Sequence, residues 1–298
     1  MPYRNGAVGD LGDILRQLEP SLGPVGGAPA PLEGGITNRN FRVRFAQDEY
    51  VVRLHGKDTD LLGISREAER LANDAAAKLG IAPAVAASFD GGLVTRFLAC
   101  EGLDSERVAE AAEEIAVALR AFHDSDTRLP VDFDVPALLD EYRAIVGDAT
   151  PEGYDELVEV ARRIAAALPP WEPRPCHNDL LAGNIVRSRE DGRIALVDWE
   201  YAGMGHPYFD LGNLAVNNDF GEPDERRLLR AYHDAEPSEA QFARLRLMRV
   251  MSDAREAAWG VIQGKVSALD FDFDGYAEHH LQRLRATDFE RWLSAARG

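Results

Sequence analysis

The chain has 298 residues, 45% of them hydrophobic, enough for one large core or two modest ones and too many for a disordered protein. Its formal net charge of −18 argues against a nucleic-acid partner, which ordinarily meets a basic footprint; an acidic surface serves solubility and also attracts cationic ligands. No run approaches the roughly 18 apolar residues of a membrane helix, Met1 to Asp10 carries no secretory pattern, and Cys100 and Cys176 lack metal-ligand spacing, so a reduced cytoplasmic setting and no membrane partner are expected.

In chain order, Asp10 to Glu19 predicts a short amphipathic helix with Leu11, Ile14, Leu15 and Leu18 on one face. Gly23 to Gly35, rich in Gly, Pro and Ala, reads as loop. Phe41, Val43 and Phe45 alternate with polar or small neighbours, a Gln47-Asp48-Glu49 turn follows, and Tyr50 to Leu54 completes a hairpin over Asn40 to Leu54. Ser65 to Leu79 is helical in composition and stops at Gly80. A second strand pair, Ala84 to Ser88 and Leu93 to Phe97, flanks Asp90-Gly91-Gly92. Beyond Cys100 helical patterns dominate: Ser105 to His123, Tyr154 to Leu168, Glu225 to His233 and Glu239 to Val261. Strands gathered in the first third and helices afterwards predict an α+β protein, with a small sheet lobe over residues 1–98 and a larger helical lobe over residues 99–298.

The chemistry is concentrated between Cys176 and Gly212. His177-Asn178-Asp179 precedes Asn184, then Ile185-Val186-Arg187, a polar turn from Ser188 to Gly192, Arg193 to Val197, and Asp198. If the two apolar runs pair as an antiparallel hairpin, Asn184 and Asp198 emerge at one end of it, with Asp179 on the loop entering that end. Phosphoryl transfer needs such a set. A hard cation takes carboxylate and amide oxygens beside phosphate oxygens, and a separate carboxylate orients the attacking hydroxyl. Asp179 suits the second task; Asn184 and Asp198 suit the first, with Mg²⁺ as the ion. Taken singly, each of these residues would read as an ordinary turn residue.

His177-x-Asp179-x4-Asn184 resembles the catalytic loop of the protein-kinase fold, and Asp198 resembles its metal-binding Asp. Trp199-Glu200 after it is similar to the choline and ethanolamine kinases of the aminoglycoside phosphotransferase family. The resemblance implies a protein-kinase-like two-lobe fold and use of ATP with Mg²⁺. It gives His177 and Asp210 a structural role around the catalytic loop. It makes Gly34 to Asn40 the phosphate-covering turn, with Gly35, Thr37, Asn38 and Asn40 near the nucleotide. Arg53 stands where protein kinases carry Lys, and Glu69, preferred to Glu67, is its expected partner. Arg96 and Leu98 would meet adenine through their main chains.

The segment Arg255 to Leu284 is similar to the C-terminal part of choline and ethanolamine kinases, where an indole helps to enclose the substrate ammonium. That likeness makes Trp259 an acceptor-site candidate, with Glu200, Tyr201 and Tyr208 completing the box. Ile262 stands where a second Trp is expected, which leaves room for ethanolamine or another amino alcohol; Trp259 as a core aromatic is the competing reading. The expected partner is thus a small, cationic alcohol. An aminoglycoside or sugar-like acceptor is the alternative within the family, and a non-catalytic nucleotide sensor the alternative outside it. Asp270 to Gly275 mimics the start of a calcium loop without its closing Glu, and His279-His280 is read as capping or facing solvent.

Overall fold

The computed structural model describes residues 11–32, 38–56, 59–267 and 269–297, without the side chains of residues 59 and 60. Helix α1 (Leu11–Leu22) runs three residues past its expected end and buries Ile14, Leu15 and Leu18 against a sheet. The sheet joins β1 (Ala30–Leu32), β2 (Arg39–Phe45), β3 (Asp48–Leu54) and, after helix α2 (Arg66–Lys78), β4 (Val85–Phe89) and β5 (Gly92–Arg96), in the order β1-β2-β3-β5-β4, all antiparallel. The alternation read from β2 and β3 is the burial pattern: Val43, Phe45, Tyr50, Val52 and Leu54 turn inward. Strand β1 lies inside the stretch expected to be loop. It is a three-residue edge strand, a position that tolerates its Pro31. The Ser65 hydroxyl accepts the Ala68 N–H and caps α2, and Gly80, at φ +77°, lets the chain leave it.

Strand β6 (Cys100–Gly102) opens the helical part. Helices α3 (Ser105–Glu110) and α4 (Ala112–His123) divide at Ala111 what the sequence presents as one helix. Then come α5 (Val135–Val146), α6 (Tyr154–Ala167), β7 (Arg174–Cys176), the hairpin β8 (Ile185–Ser188) and β9 (Ile194–Leu196), and β10 (Gly203–Gly205). Helices α7 (Pro207–Asn217), α8 (Glu222–His233), α9 (Glu239–Val266), α10 (Phe273–Ala286) and α11 (Glu290–Ala295) complete the chain. Among the described residues no helix is long and apolar enough to cross a membrane.

Helix α9 is the axis of this part. Ser238 and Gln241 cap its start reciprocally, and it packs against α5, α6, α7, α10 and α11. A Cβ on Gly212 would stand 2.5 Å from the Met248 carbonyl carbon, so α7 and α9 cross at backbone contact. A Cβ on Gly260 would lie 2.9 Å from that of Ala277, which brings α10 equally near. Two cores result. The smaller joins α1 to the sheet, and the larger fills the helical part and also takes the buried face of α2 through Ala68, Ala72 and Ala76.

Candidate active site

The β8–β9 hairpin forms as expected, with Ile185 opposite Leu196 and the Val197 N–H donating to the Asn184 carbonyl at 3.0 Å. That register brings Asn184 and Asp198 to one end. The Asn184 amide donates to the Asp179 carbonyl at 2.8 Å and to its Oδ2 at 2.9 Å, tying the loop to the hairpin. Two non-glycine residues here have left-handed backbones, Asn178 at φ +67° and Asp198 at φ +64°. Such conformations persist where surrounding bonds over-determine them. For Asn178 those bonds are visible: its N–H donates to Asp210 Oδ1 at 2.7 Å and its side chain to the Tyr201 carbonyl at 3.0 Å.

Asp210 is fully buried on α7 and also accepts the His177 N–H at 2.8 Å, while His123 lies 3.0 Å from it. These bonds and the facing His123 hold its carboxyl below the usual range against the opposing effect of burial. His123, Cys176 and Asp210 are close enough to resemble a metal site, but the Asp210 oxygens are already committed to the loop. From the next turn of α7, Asn213 accepts the Leu180 N–H and donates to Ser252 on α9. The ring of His177 bridges the Val197 carbonyl at 3.0 Å and the Asp179 N–H at 3.3 Å, and burial lowers its basicity, so it organises backbone.

Across the cleft, Arg53 on β3 reaches Asp198 at 2.6 Å and Glu69 at 3.1 Å, and its Nε donates to Asn40 at 3.3 Å. Glu69, not Glu67, is therefore the helix carboxylate facing Arg53. Arg66 joins Glu69 at 2.9 Å to Glu200 at 3.2 Å, and the Asn38 amide donates to Glu200 at 2.9 Å. Glu200 thus lines the cleft with one oxygen committed to the sheet side, and burial with the nearby Asp198 charge pushes its carboxyl up to about 7. Gly35 and Thr37 lie outside the described residues.

A metal fits the oxygens that remain. Arg53 engages Asp198 Oδ1 and the Asn184 donations use Nδ2, so Asp198 Oδ2 and Asn184 Oδ1 are left as two hard donors beside Asp179. Asp179 itself is 9% exposed. Burial pushes its carboxyl up to about 8; Arg255 opposes that shift, while Glu256, Asp198 and Glu200 reinforce it.

Asn40, Arg53, Asp179, Asn184, Asp198 and Glu200 line one cleft of about 670 Å³. One end is walled by Leu32, Val51, Phe97, Leu98, Val186 and Val197. There the Arg96 N–H is spent on the Ala84 carbonyl, whereas the Leu98 N–H has no protein partner among the described residues. The Arg96 side chain turns away to Asp48. The other end is lined by Tyr201, Arg255, Glu256, Trp259 and Tyr276. Trp259 donates its indole N–H to the Tyr201 hydroxyl at 2.7 Å, and the Tyr276 hydroxyl donates to Glu256 at 2.8 Å. The Trp259 ring meets Phe273 and Tyr276 edge-on, at 5.9 and 5.5 Å.

Several expectations are corrected. Tyr208 does not line the cleft. It sits beyond β10 at the start of α7, with its hydroxyl 2.7 Å from His233, because the helix turns that face away from the cleft. His280 is buried 2.9 Å from Asp253, leaving only His279 in solvent. Asp272 caps α10 by accepting the Gly275 N–H at 2.8 Å. Missed altogether were Arg255, Glu256 and Tyr276. The available signal was an Arg-Glu pair one turn before Trp259.

The fold is the protein-kinase-like one, and the protein is a small-molecule kinase. The model of the phosphotransferase enzyme family matches residues 29–247, and the chain belongs to that family. Ethanolamine kinase 1 of Mus musculus is 26% identical over 92% of this chain and 86% of its own. The crystal structure of a choline/ethanolamine kinase family protein from Mesorhizobium loti superposes with a TM-score of 0.82 at 31% identity, covering 96% of this chain and 99% of the other. A phosphotransferase solved with GDP and kanamycin shares the fold at a TM-score of 0.64 and 16% identity, over 93% and 99% of the two chains.

Proposed function

We propose that the protein transfers the γ-phosphoryl group of ATP, with Mg²⁺, to the hydroxyl of a small amino alcohol. The observation that carries this is the convergence of Asp179, Asn184 and Asp198 in a cleft whose far end combines Tyr201, Trp259 and Tyr276 with the carboxylate of Glu256. The relatives named as ethanolamine and choline kinases support the acceptor class.

In this reading Asp179 orients the acceptor hydroxyl and takes its proton as the oxygen bonds to the γ-phosphorus and the bond to the ADP oxygen breaks. Asn184 and Asp198 hold Mg²⁺, which neutralises charge on the phosphates when bound. Arg53, fixed by Glu69, contacts the phosphates, and Gly35, Thr37, Asn38 and Asn40 cover them. The Leu98 N–H and the Arg96 carbonyl take adenine between apolar walls. Leu98 then divides a lobe of residues 1–98 from one of residues 99–298, and the cytoplasm supplies the nucleotide.

The test is ADP release from Mg²⁺·ATP with ethanolamine, choline, other amino alcohols and aminoglycosides, using Asp179→Ala as control. Turnover that depends on an amino alcohol and is lost in the variant is expected. Turnover with aminoglycosides alone would overturn the acceptor class, and nucleotide binding without transfer to any acceptor would overturn the enzyme reading.

A further inference from the structure

His123 ends α4 with 1% of its surface exposed, and its ring lies between two polar side chains. Nε2 stands 3.0 Å from Asp210 Oδ2, and Nδ1 stands 2.8 Å from the Tyr232 hydroxyl. Asp210 accepts the His177 and Asn178 N–H groups, and its carboxyl is held below the usual range, so it is an anion and can only accept. The proton shared with it therefore belongs to His123 Nε2, and Nδ1 is left for Tyr232. Among the described residues His123 is the one side chain that donates to Asp210.

With the two N–H groups alone, Asp210 would be a buried charge held by neutral donors of a single loop, and would shift with that loop. The bond from α4 ties it to a different element. The loop needs such a fixed point, because Asn178 keeps its φ of +67° only while surrounding bonds hold it, and Asp179 is the next residue. Tyr232 is held in turn. Its carbonyl accepts from Arg120 of α4 at 3.2 Å, and the adjacent His233 lies 2.7 Å from the Tyr208 hydroxyl at the start of α7. The last turn of α8 thus grips the end of α4 and the start of the helix that carries Asp210.

Resting on the reading of Asp179 as the base, we infer that His123 and Tyr232 are positioning residues for the transfer step: they fix Asp210, and through it hold Asp179 against the acceptor hydroxyl. Neither lines the cleft. Their effect falls on kcat, alike for every acceptor, and not on binding.

The experiment is steady-state kinetics of His123→Leu, His123→Gln, Tyr232→Phe and Asp210→Asn, and of His123→Leu combined with Asp210→Asn. Ethanolamine, choline and kanamycin serve as acceptors, and rates are counted per folded site from the calorimetric stoichiometry of Mg²⁺·ADP. His123→Leu should lower kcat about tenfold while nucleotide and acceptor KM stay within about twofold. His123→Gln, whose amide can donate as Nε2 does, should recover to within about threefold of wild type, and Tyr232→Phe should lose about threefold. In the Asp210→Asn background, His123→Leu should cost less than about a further twofold, because the two residues act as one unit. A further loss of about tenfold there, a Gln variant as slow as the Leu variant, or a loss confined to KM overturns the inference. Should His123→Leu fail to fold, Tyr232→Phe decides, since it removes a single oxygen: an unchanged kcat overturns the inference. An unchanged kcat in Asp179→Asn is a separate failure, that of the base assignment. Turnover of none of the three acceptors overturns the transfer reading and this inference with it.

Discussion

The two ends of the cleft are assembled in different ways. The phosphoryl end is local: His177 to Asp198 is one loop and one hairpin, and its geometry follows from strand register. The acceptor end is composite. Tyr201 follows the hairpin, Arg255, Glu256 and Trp259 come from the middle of α9, and Tyr276 comes from α10. On the proposed function, chemistry common to all acceptors falls to the first, and discrimination among acceptors to the second. The first set of changes should therefore lower kcat for every acceptor, and the second should alter KM and acceptor preference.

The largest expected effect is at the phosphoryl end. Asp179→Asn keeps the side-chain shape and removes the base, so kcat should fall by about 10³-fold. Nucleotide affinity, measured by calorimetry, should change less than about threefold, within about 0.7 kcal/mol. Equal losses in nucleotide binding and rate would show that Asp179 holds the nucleotide, not the acceptor proton.

The pH profile comes next. Burial raises the Asp179 carboxyl to about 8, so in the free enzyme it is protonated below that value and cannot serve as base. Wild-type kcat/KM should rise with pH about tenfold per unit on the acid side and level off near the raised value. The limb should vanish in Asp179→Asn. A wild-type profile flat between about pH 6 and pH 9 would show that the raised value does not persist once Mg²⁺·ATP is bound beside Asp179.

A smaller loss should follow Asp210→Asn, which weakens the bonds accepted from the His177 and Asn178 N–H groups. With the charge gone, stability should fall by about 2 kcal/mol and kcat by about tenfold for all acceptors alike. Thermal melts and steady-state rates read the two. A change confined to one acceptor would contradict a role at the shared end.

These two ends also differ in how far the sequence discloses them. The hairpin and the Asn184–Asp198 convergence were legible because strand alternation is a short-range regularity, whereas the choice of Glu69 followed from the family resemblance. Helices α5, α7, α10 and α11 were not legible. α7 is buried from Tyr208 to Val216, and its polar residues Asp210 and Asn213 are turned inward to the catalytic loop, so no solvent-facing stripe marks its period; Tyr208 was placed at the acceptor end only by its nearness in sequence to Asp198. Arg255 and Glu256 belong to a helix buried on every side through its middle, where sequence spacing selects no face. Their place in the cleft depends on how α9 docks against α10, and Gly260 against Ala277 is part of that docking.

The smallest effect tests the acceptor end alone. Tyr201→Phe keeps the ring beneath Arg255 and removes only the hydroxyl that accepts the Trp259 indole N–H at 2.7 Å. The indole donor is left buried and unpaired, a cost of about 1 kcal/mol or somewhat more, so Trp259 should lose its fixed orientation. Acceptor KM should rise about three- to tenfold, with kcat and nucleotide KM nearly unchanged. Steady-state kinetics with two acceptors of different size would sharpen the assignment further, since a loosened wall should penalise the smaller one more. If instead kcat collapsed for both, Tyr201 would belong with the Asn178 loop whose side chain its carbonyl holds, and the cleft would not separate into a chemical end and a selective end.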